Sequence, residues 1–101
     1  MDVPQGVLVK VKNYLRRSHD KLDDDLRDTI AACLRDLEIY GVKVVPTDWA
    51  VDPLILNAIK LYCKAEDTDD PVKAAAYRER FEGLKASLGM AEEYKAGEPV
   101  E

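Results

Sequence analysis

Four groups of residues in this 101-residue chain are of types that do chemistry: His19, the cysteines Cys33 and Cys63, the run Asp23-Asp24-Asp25, and the segment Asp67-Thr68-Asp69-Asp70. An imidazole titrates near neutral pH and serves as base or ligand. His19, the only histidine, instead stands in a polar break between Ser18 and Asp20 and has no partner at a spacing diagnostic of a catalytic set. The two cysteines are far apart and have no histidine beside them, so they form neither a zinc pattern nor a CxxC redox pair. Asp67 begins what resembles a calcium loop. The sixth position is Val72 where glycine makes the turn, and the twelfth is Arg78 where a bidentate glutamate is needed, so the loop fails. Three successive aspartates on a helix point in different directions, so Asp23–Asp25 do not converge on a Mg²⁺ ion. No phosphate-binding loop, dinucleotide fingerprint or nucleophile elbow is present. The sequence predicts no enzyme, no metal and no cofactor.

The elements that must carry these residues are helices. Leu22–Gly41 places Leu26, Ile30, Cys33, Leu34, Leu37 and Tyr40 on one face at three- and four-residue spacing. Its three opening carboxylates suit the positive end of the helix dipole, and Gly41 can take the left-handed conformation that ends a helix. Leu8, Val11 and Leu15 predict a first amphipathic helix over about residues 5–17, with Arg16 and Arg17 at its negative end. Asp52-Pro53 and Asp70-Pro71 are both helix starts, because the aspartate caps free amides and the proline sits where its missing N–H costs nothing. Leu54, Ile55, Ala58, Ile59, Tyr62 and Cys63 form the buried face after the first of these starts. Tyr77, Phe81, Leu84 and Leu88, ending at Gly89, form the face after the second. Both cysteines fall on apolar faces, where a thiol is a small hydrophobe.

The expected fold is therefore all-α: a single domain over 1–101, built as a compact bundle of about four helices with an ordered core over about 5–90. Val42, Val44 and Val45, interrupted by Pro46, predict an extended connector between helices 2 and 3, with a short strand or hairpin as a variant. Trp49, the only tryptophan, either caps the core from this connector or anchors a protein interface. The tail 91–101 has little apolar content and is expected to be mobile in isolation.

Charge narrows the partners. The net charge is −5 with a pI near 4.9, which opposes the phosphate neutralisation on which nucleic-acid affinity rests. A helix-turn-helix reader would need a basic recognition helix, and neither helix 2 nor helix 3 is basic. No apolar run approaches the roughly 20 residues that cross a bilayer. The start, MDVPQGVLVK, lacks the basic-then-apolar pattern of a secretory leader, so the expected place of synthesis and residence is the cytoplasm. The charge is also uneven. Residues 1–22 hold Lys10, Lys12, Arg16, Arg17 and Lys21 against Asp2 and Asp20, whereas 23–41 hold Arg27 and Arg35 against Asp23, Asp24, Asp25, Asp28, Asp36 and Glu38. This is either ordinary solvated surface or the two ends of a subunit whose positive edge meets a neighbour's negative edge.

Several blocks, in order, carry a family resemblance. They are Val11-Lys12-Asn13-Tyr14-Leu15-Arg16, His19-Asp20-Lys21-Leu22-Asp23-Asp24-Asp25, Asp28-Thr29-Ile30 with Ala32-Cys33, and Asp52-Pro53-Leu54-Ile55. Ala58-Ile59-Lys60, Tyr62-Cys63-Lys64-Ala65, and Tyr77, Phe81, Leu84-Lys85 and Leu88 follow. Together they span roughly residues 8–94, and the chain resembles the phage head-tail connector family of DNA-packaging proteins. The resemblance implies a small helical structural protein that assembles, often as a ring of twelve, beneath the portal of a tailed-phage capsid. It implies further copies of the chain, the portal protein and a tail or head-completion protein as partners, with DNA passing through without tight binding. It also implies a prophage origin and a final place in the virion neck. Two segments depart from the family pattern: Glu66-Asp67-Thr68-Asp69 replaces an aromatic-glycine loop after Ala65, and the 42–51 connector is longer than usual. On this reading Lys10, Lys12, Arg16 and Arg17 of one subunit face Asp23, Asp24 and Asp25, or Asp36 and Glu38, of the next, and Trp49 is a further candidate contact. The alternative class is a small helical regulator that binds another protein through Trp49 and the acidic helix.

Overall fold

The structure, a computed structural model, describes residues 3, 5–15, 23–44 and 52–91. They form four helices: α1 (Gln5–Leu15), α2 (Asp23–Tyr40), α3 (Pro53–Asp67) and α4 (Pro71–Met90). The fold is an all-α four-helix bundle with no strand among the described residues. Helix α3 is its axis and packs against all three others. Helix α2 touches α1 and α4 as well, while α1 and α4 do not meet.

The boundaries follow local chemistry. Asp52 Oδ1 accepts from Leu54 N at 3.0 Å and Ile55 N at 3.4 Å, with Pro53 as the first helical residue. Asp70 repeats this at α4, accepting from Val72 N at 2.9 Å and Lys73 N at 3.4 Å, with Pro71 behind it. Such caps satisfy amides that the helix leaves orphaned. Helix α2 ends as its glycine predicts. Gly41 has φ of 103°, its N–H donates to Glu38 O at 3.0 Å, and Val42 N donates to Leu37 O at 2.9 Å. That pair of bonds is the Schellman closure, and the buried Val42 beyond it belongs to the same core as Leu37.

The interior is one cluster. Helix α1 contributes Val7, Leu8, Val11 and Leu15; α2 contributes Leu26, Ile30, Cys33, Leu34 and Leu37. Ile55, Ala58, Ile59 and Cys63 come from α3, and Phe81 and Leu88 from α4. Each fully buried aliphatic or aromatic side chain contributes about 1.5–3 kcal/mol by leaving water. Truncating one at the centre, such as Leu34→Ala, costs about 2–5 kcal/mol. The Tyr62 and Phe81 rings meet edge to face with centroids 5.1 Å apart, tying α3 to α4.

Three expectations need correction. Tyr40 and Leu54, assigned to buried faces, are 51% and 43% exposed: Tyr40 is the last residue of α2, and Leu54 lies in the first turn of α3, at the rim of the core. Gly89 does not stop α4. The helix runs on to Met90, and Ala91 N closes it onto Ser87 O and Leu88 O. The glycine is there for space, since a Cβ on it would lie 2.7 Å from Cε2 of Tyr40. Of the connector, Val42 is buried and Val44 packs partly on the core. Residues 45–51, the tail beyond Ala91, His19, Arg16 and Arg17 lie outside the described residues.

Candidate functional site

Several of the candidate surface residues are already engaged within the chain. Asp36 and Glu38 are engaged. Asp36 Oδ1 accepts from Lys85 Nζ at 3.0 Å, and Glu38 lies 3.6 Å from Arg35. Asp24, nearly fully exposed, meets Arg27 at 3.2 Å, and the same guanidinium donates to Gln5 Oε1 at 3.1 Å, linking α2 to α1. Asp25 is exposed, and its backbone carbonyl accepts from Thr29 Oγ1 at 3.0 Å. Lys10 is exposed and Lys12 half-buried on α1. Asp23 opens α2, but its side chain lies outside the described residues, as do Arg16, Arg17 and Trp49. Of the candidate edge residues, Lys10 is thus exposed on α1 and Asp24 and Asp25 on α2, while Asp36 and Glu38 are turned to intramolecular use.

Lys85, the buried charge of the bundle, is a group that sequence reasoning did not single out. It is only 8% exposed. Its ammonium bonds Asp36 on α2 and Glu82 on its own helix, each at 3.0 Å. It also lies 5.1 Å from the centre of the Tyr40 ring and 5.5 Å from that of Phe81. Burial pushes its pKa down, but the hydrogen bonds and charges of Glu82 and Asp36 outweigh this and hold it above the usual lysine value. A lone ammonium there would cost several kcal/mol; two carboxylates and two rings make it a clamp between α2 and α4. The signal in sequence is faint: Lys85 falls on the Phe81–Leu88 face, four residues after one and three before the other.

On the other flank, α1 and α3 build a cationic patch. Lys60 and Lys64, one turn apart on α3, both lie over the Tyr14 ring of α1, at 5.5 and 6.0 Å from its centre. Neither ammonium meets a carboxylate among the described residues. Between α2 and α3 lies a shallow, open depression of about 200 Å³ lined by Asp28, Thr29, Ala32, Tyr62 and Glu66. Glu66 is held by Arg78 at 2.7 Å, whereas Asp28 has no partner among the described residues. Burial raises the Tyr62 phenol above its ordinary value, with the Glu66 charge adding to it. No group of three or more histidine, cysteine, aspartate or glutamate side chains is placed to hold a metal ion among the described residues.

Both cysteines are buried, and neither is in a disulfide. Cys33 Sγ lies 3.9 Å from Ala58 O, to which it donates across the α2–α3 contact. Burial, with smaller contributions from Cys63 and Asp36, pushes the Cys33 thiol far above its ordinary value, so it is a packing group rather than a nucleophile.

The bundle thus carries charged helix flanks, and its buried lysine joins two helices. The family model for phage connector proteins matches residues 7–95, and the chain belongs to the phage connector protein family, a family of structural proteins. No curated protein and no solved structure matches it. No described helix is long and apolar enough to cross a membrane.

Proposed function

We propose that this chain is a head-tail connector: a non-enzymatic subunit that joins the portal of a DNA-filled capsid to the tail and helps retain the packaged genome. The observation that carries the reading is the family match over residues 7–95, which takes in α2, α3, α4 and most of α1 rather than one motif. Its partners are further copies of itself in a ring, the portal protein, and a tail or head-completion protein. It is made in the bacterial cytoplasm from a prophage and ends in the virion neck. The net charge of −5 supports the role, because a conduit that holds phosphate weakly lets DNA pass. Lys10, Lys12, Arg16 and Arg17 against Asp23–Asp25 of the next subunit make the ring edge in this reading. Trp49 is a candidate for the contact with a neighbouring subunit or with the portal.

The test is deletion of the gene from an inducible prophage, with electron microscopy of the lysate and a portal pull-down with the purified chain. The expected result is filled heads without tails that lose DNA, and a salt-sensitive complex with the portal encoded in the same genome. Normal tailed, infectious particles from the deletion would overturn the proposal.

A further inference from the structure

We infer that the Lys60–Tyr14–Lys64 patch is one half of a contact between copies of this chain, and that the other half is the Asp25–Asp28 edge of α2. The inference rests on the connector reading for its setting, in which copies stand side by side. Its residues come from the geometry.

Lys60 and Lys64 are a like-charged pair one helical turn apart, and like charges at that spacing repel. Here a single ring, Tyr14, lies beneath both ammoniums, and Lys10 stands one turn earlier on the same helix as Tyr14. The ring faces two cations, yet no described carboxylate completes the site. Arg27, Arg35, Arg78 and Lys85 each meet a carboxylate within the chain; Lys73 and Arg80, like the two lysines of the patch, meet none among the described residues, but only Lys60 and Lys64 share one ring. The patch therefore fits an anion from outside.

Its complement is on the same molecule and cannot reach it. Asp25 and Asp28 are exposed, three residues apart on α2, so their carboxylates have nearly the spacing of the two lysines. Neither side chain has a described partner. Positions 60 and 62 differ by about 200° around α3, so Lys60 and Lys64 point toward α1 while Tyr62 and Glu66 line the depression shared with Asp28. The cationic and anionic faces lie on opposite flanks of one helix. Two complementary faces on opposite flanks bond head to tail, and such heterologous contacts close into rings or extend. A polyanion such as DNA is the poorer occupant, because the chain's net charge of −5 repels it, whereas a second copy brings two carboxylates at the right spacing.

The experiment is sedimentation equilibrium of the full chain at low and high salt, with the double variants Lys60→Glu/Lys64→Glu and Asp25→Lys/Asp28→Lys, each checked for helicity by circular dichroism. The wild type is expected to self-associate at low salt, and each variant alone to do so at least tenfold more weakly. An equimolar mixture of the two variants is expected to recover association, because the exchanged charges then meet their opposites. A wild type that stays monomeric at millimolar concentration and low salt would overturn the inference. So would variants that associate like the wild type, or a mixture that recovers nothing. Loss of DNA retention in a gel shift by the lysine variant, with self-association intact, reassigns the patch to phosphate and also overturns it. Portal binding by the wild type separates the two readings: its presence without self-association rejects this contact alone, and its absence rejects the connector.

Discussion

The Tyr40 ring at the end of α2 lies directly over Gly89 of α4, so that a Cβ at residue 89 would sit 2.7 Å from Cε2 and 3.1 Å from Cδ2. The same ring faces the Lys85 ammonium. The glycine leaves room for the Cδ2–Cε2 edge of the ring, and the ring in turn stands 5.1 Å from the clamp's ammonium. Gly89→Ala removes a helix-weakening glycine, a gain of about 0.5–1 kcal/mol, but displaces the ring. The expected net effect is a loss of about 1 kcal/mol in the wild type and a gain of about 0.5 kcal/mol in a Tyr40→Ala background. Urea unfolding of the four proteins gives the cycle, and identical effects in both backgrounds would refute the coupling.

The Lys85–Asp36 clamp predicts unequal consequences for its two partners. Asp36→Ala strips a buried ammonium of one of two carboxylates and costs about 1–3 kcal/mol. Lys85→Met keeps the stem and its packing and leaves Asp36 able to hydrate, since its side chain is 35% exposed; the expected cost is under about 1 kcal/mol. Denaturant midpoints decide it, and a larger loss for Lys85→Met would show that the charge itself holds the helices together.

Alkaline pH should loosen the fold. The Cys33 thiol, the Tyr62 phenol and the Lys85 ammonium all hold their protons more tightly folded than unfolded. The unfolded chain then releases protons first, and stability falls as pH rises. The fall begins near the ordinary thiol value of 9.0 and steepens past 10.0 and 10.5, the ordinary values of the phenol and the ammonium. Thermal midpoints from pH 8 to 11 are expected to decline monotonically, less steeply in Cys33→Ala. Thiol reagents are expected to label Cys33 only at the rate of unfolding, and rapid labelling of the native chain would contradict its burial.

Asp70→Ala removes the acceptor for two amides at the start of α4 and is expected to cost about 0.5–2 kcal/mol. Gly41→Ala forces a Cβ into a backbone with φ of 103°, expected to cost about 1 kcal/mol or more. Both are read from thermal or urea unfolding.

The same two positions show what was legible beforehand. Asp70-Pro71 and Gly41 declare helix ends through chemistry that lies within four residues, so sequence alone places them. Gly89 has the same type as Gly41 but another role, and the difference lies in Tyr40, far away in the chain. Lys85 was unreadable for a similar reason: its partner Asp36 is separated from it by 49 positions, and a lysine on an apolar stripe looks like an interruption until the carboxylate is seen. The Lys60–Tyr14–Lys64 patch likewise exists only where α1 meets α3. Local rules gave the elements and their buried faces; the charged groups depended on which helices met.

The position of α3 as the shared axis also bears on the chain's synthesis. Helices α1 and α2 leave the ribosome before the helix on which both pack, and α4 follows last. The core cannot close until Asp67 has cleared the exit tunnel, which leaves the apolar stripes of the first two helices without most of their partners in the meantime. Nascent chains stalled before that point should be digested readily by protease, and those stalled well beyond Ala91 should resist it. Until α3 has emerged, the first half of the fold is a pair of amphipathic helices whose apolar stripes lie largely uncovered.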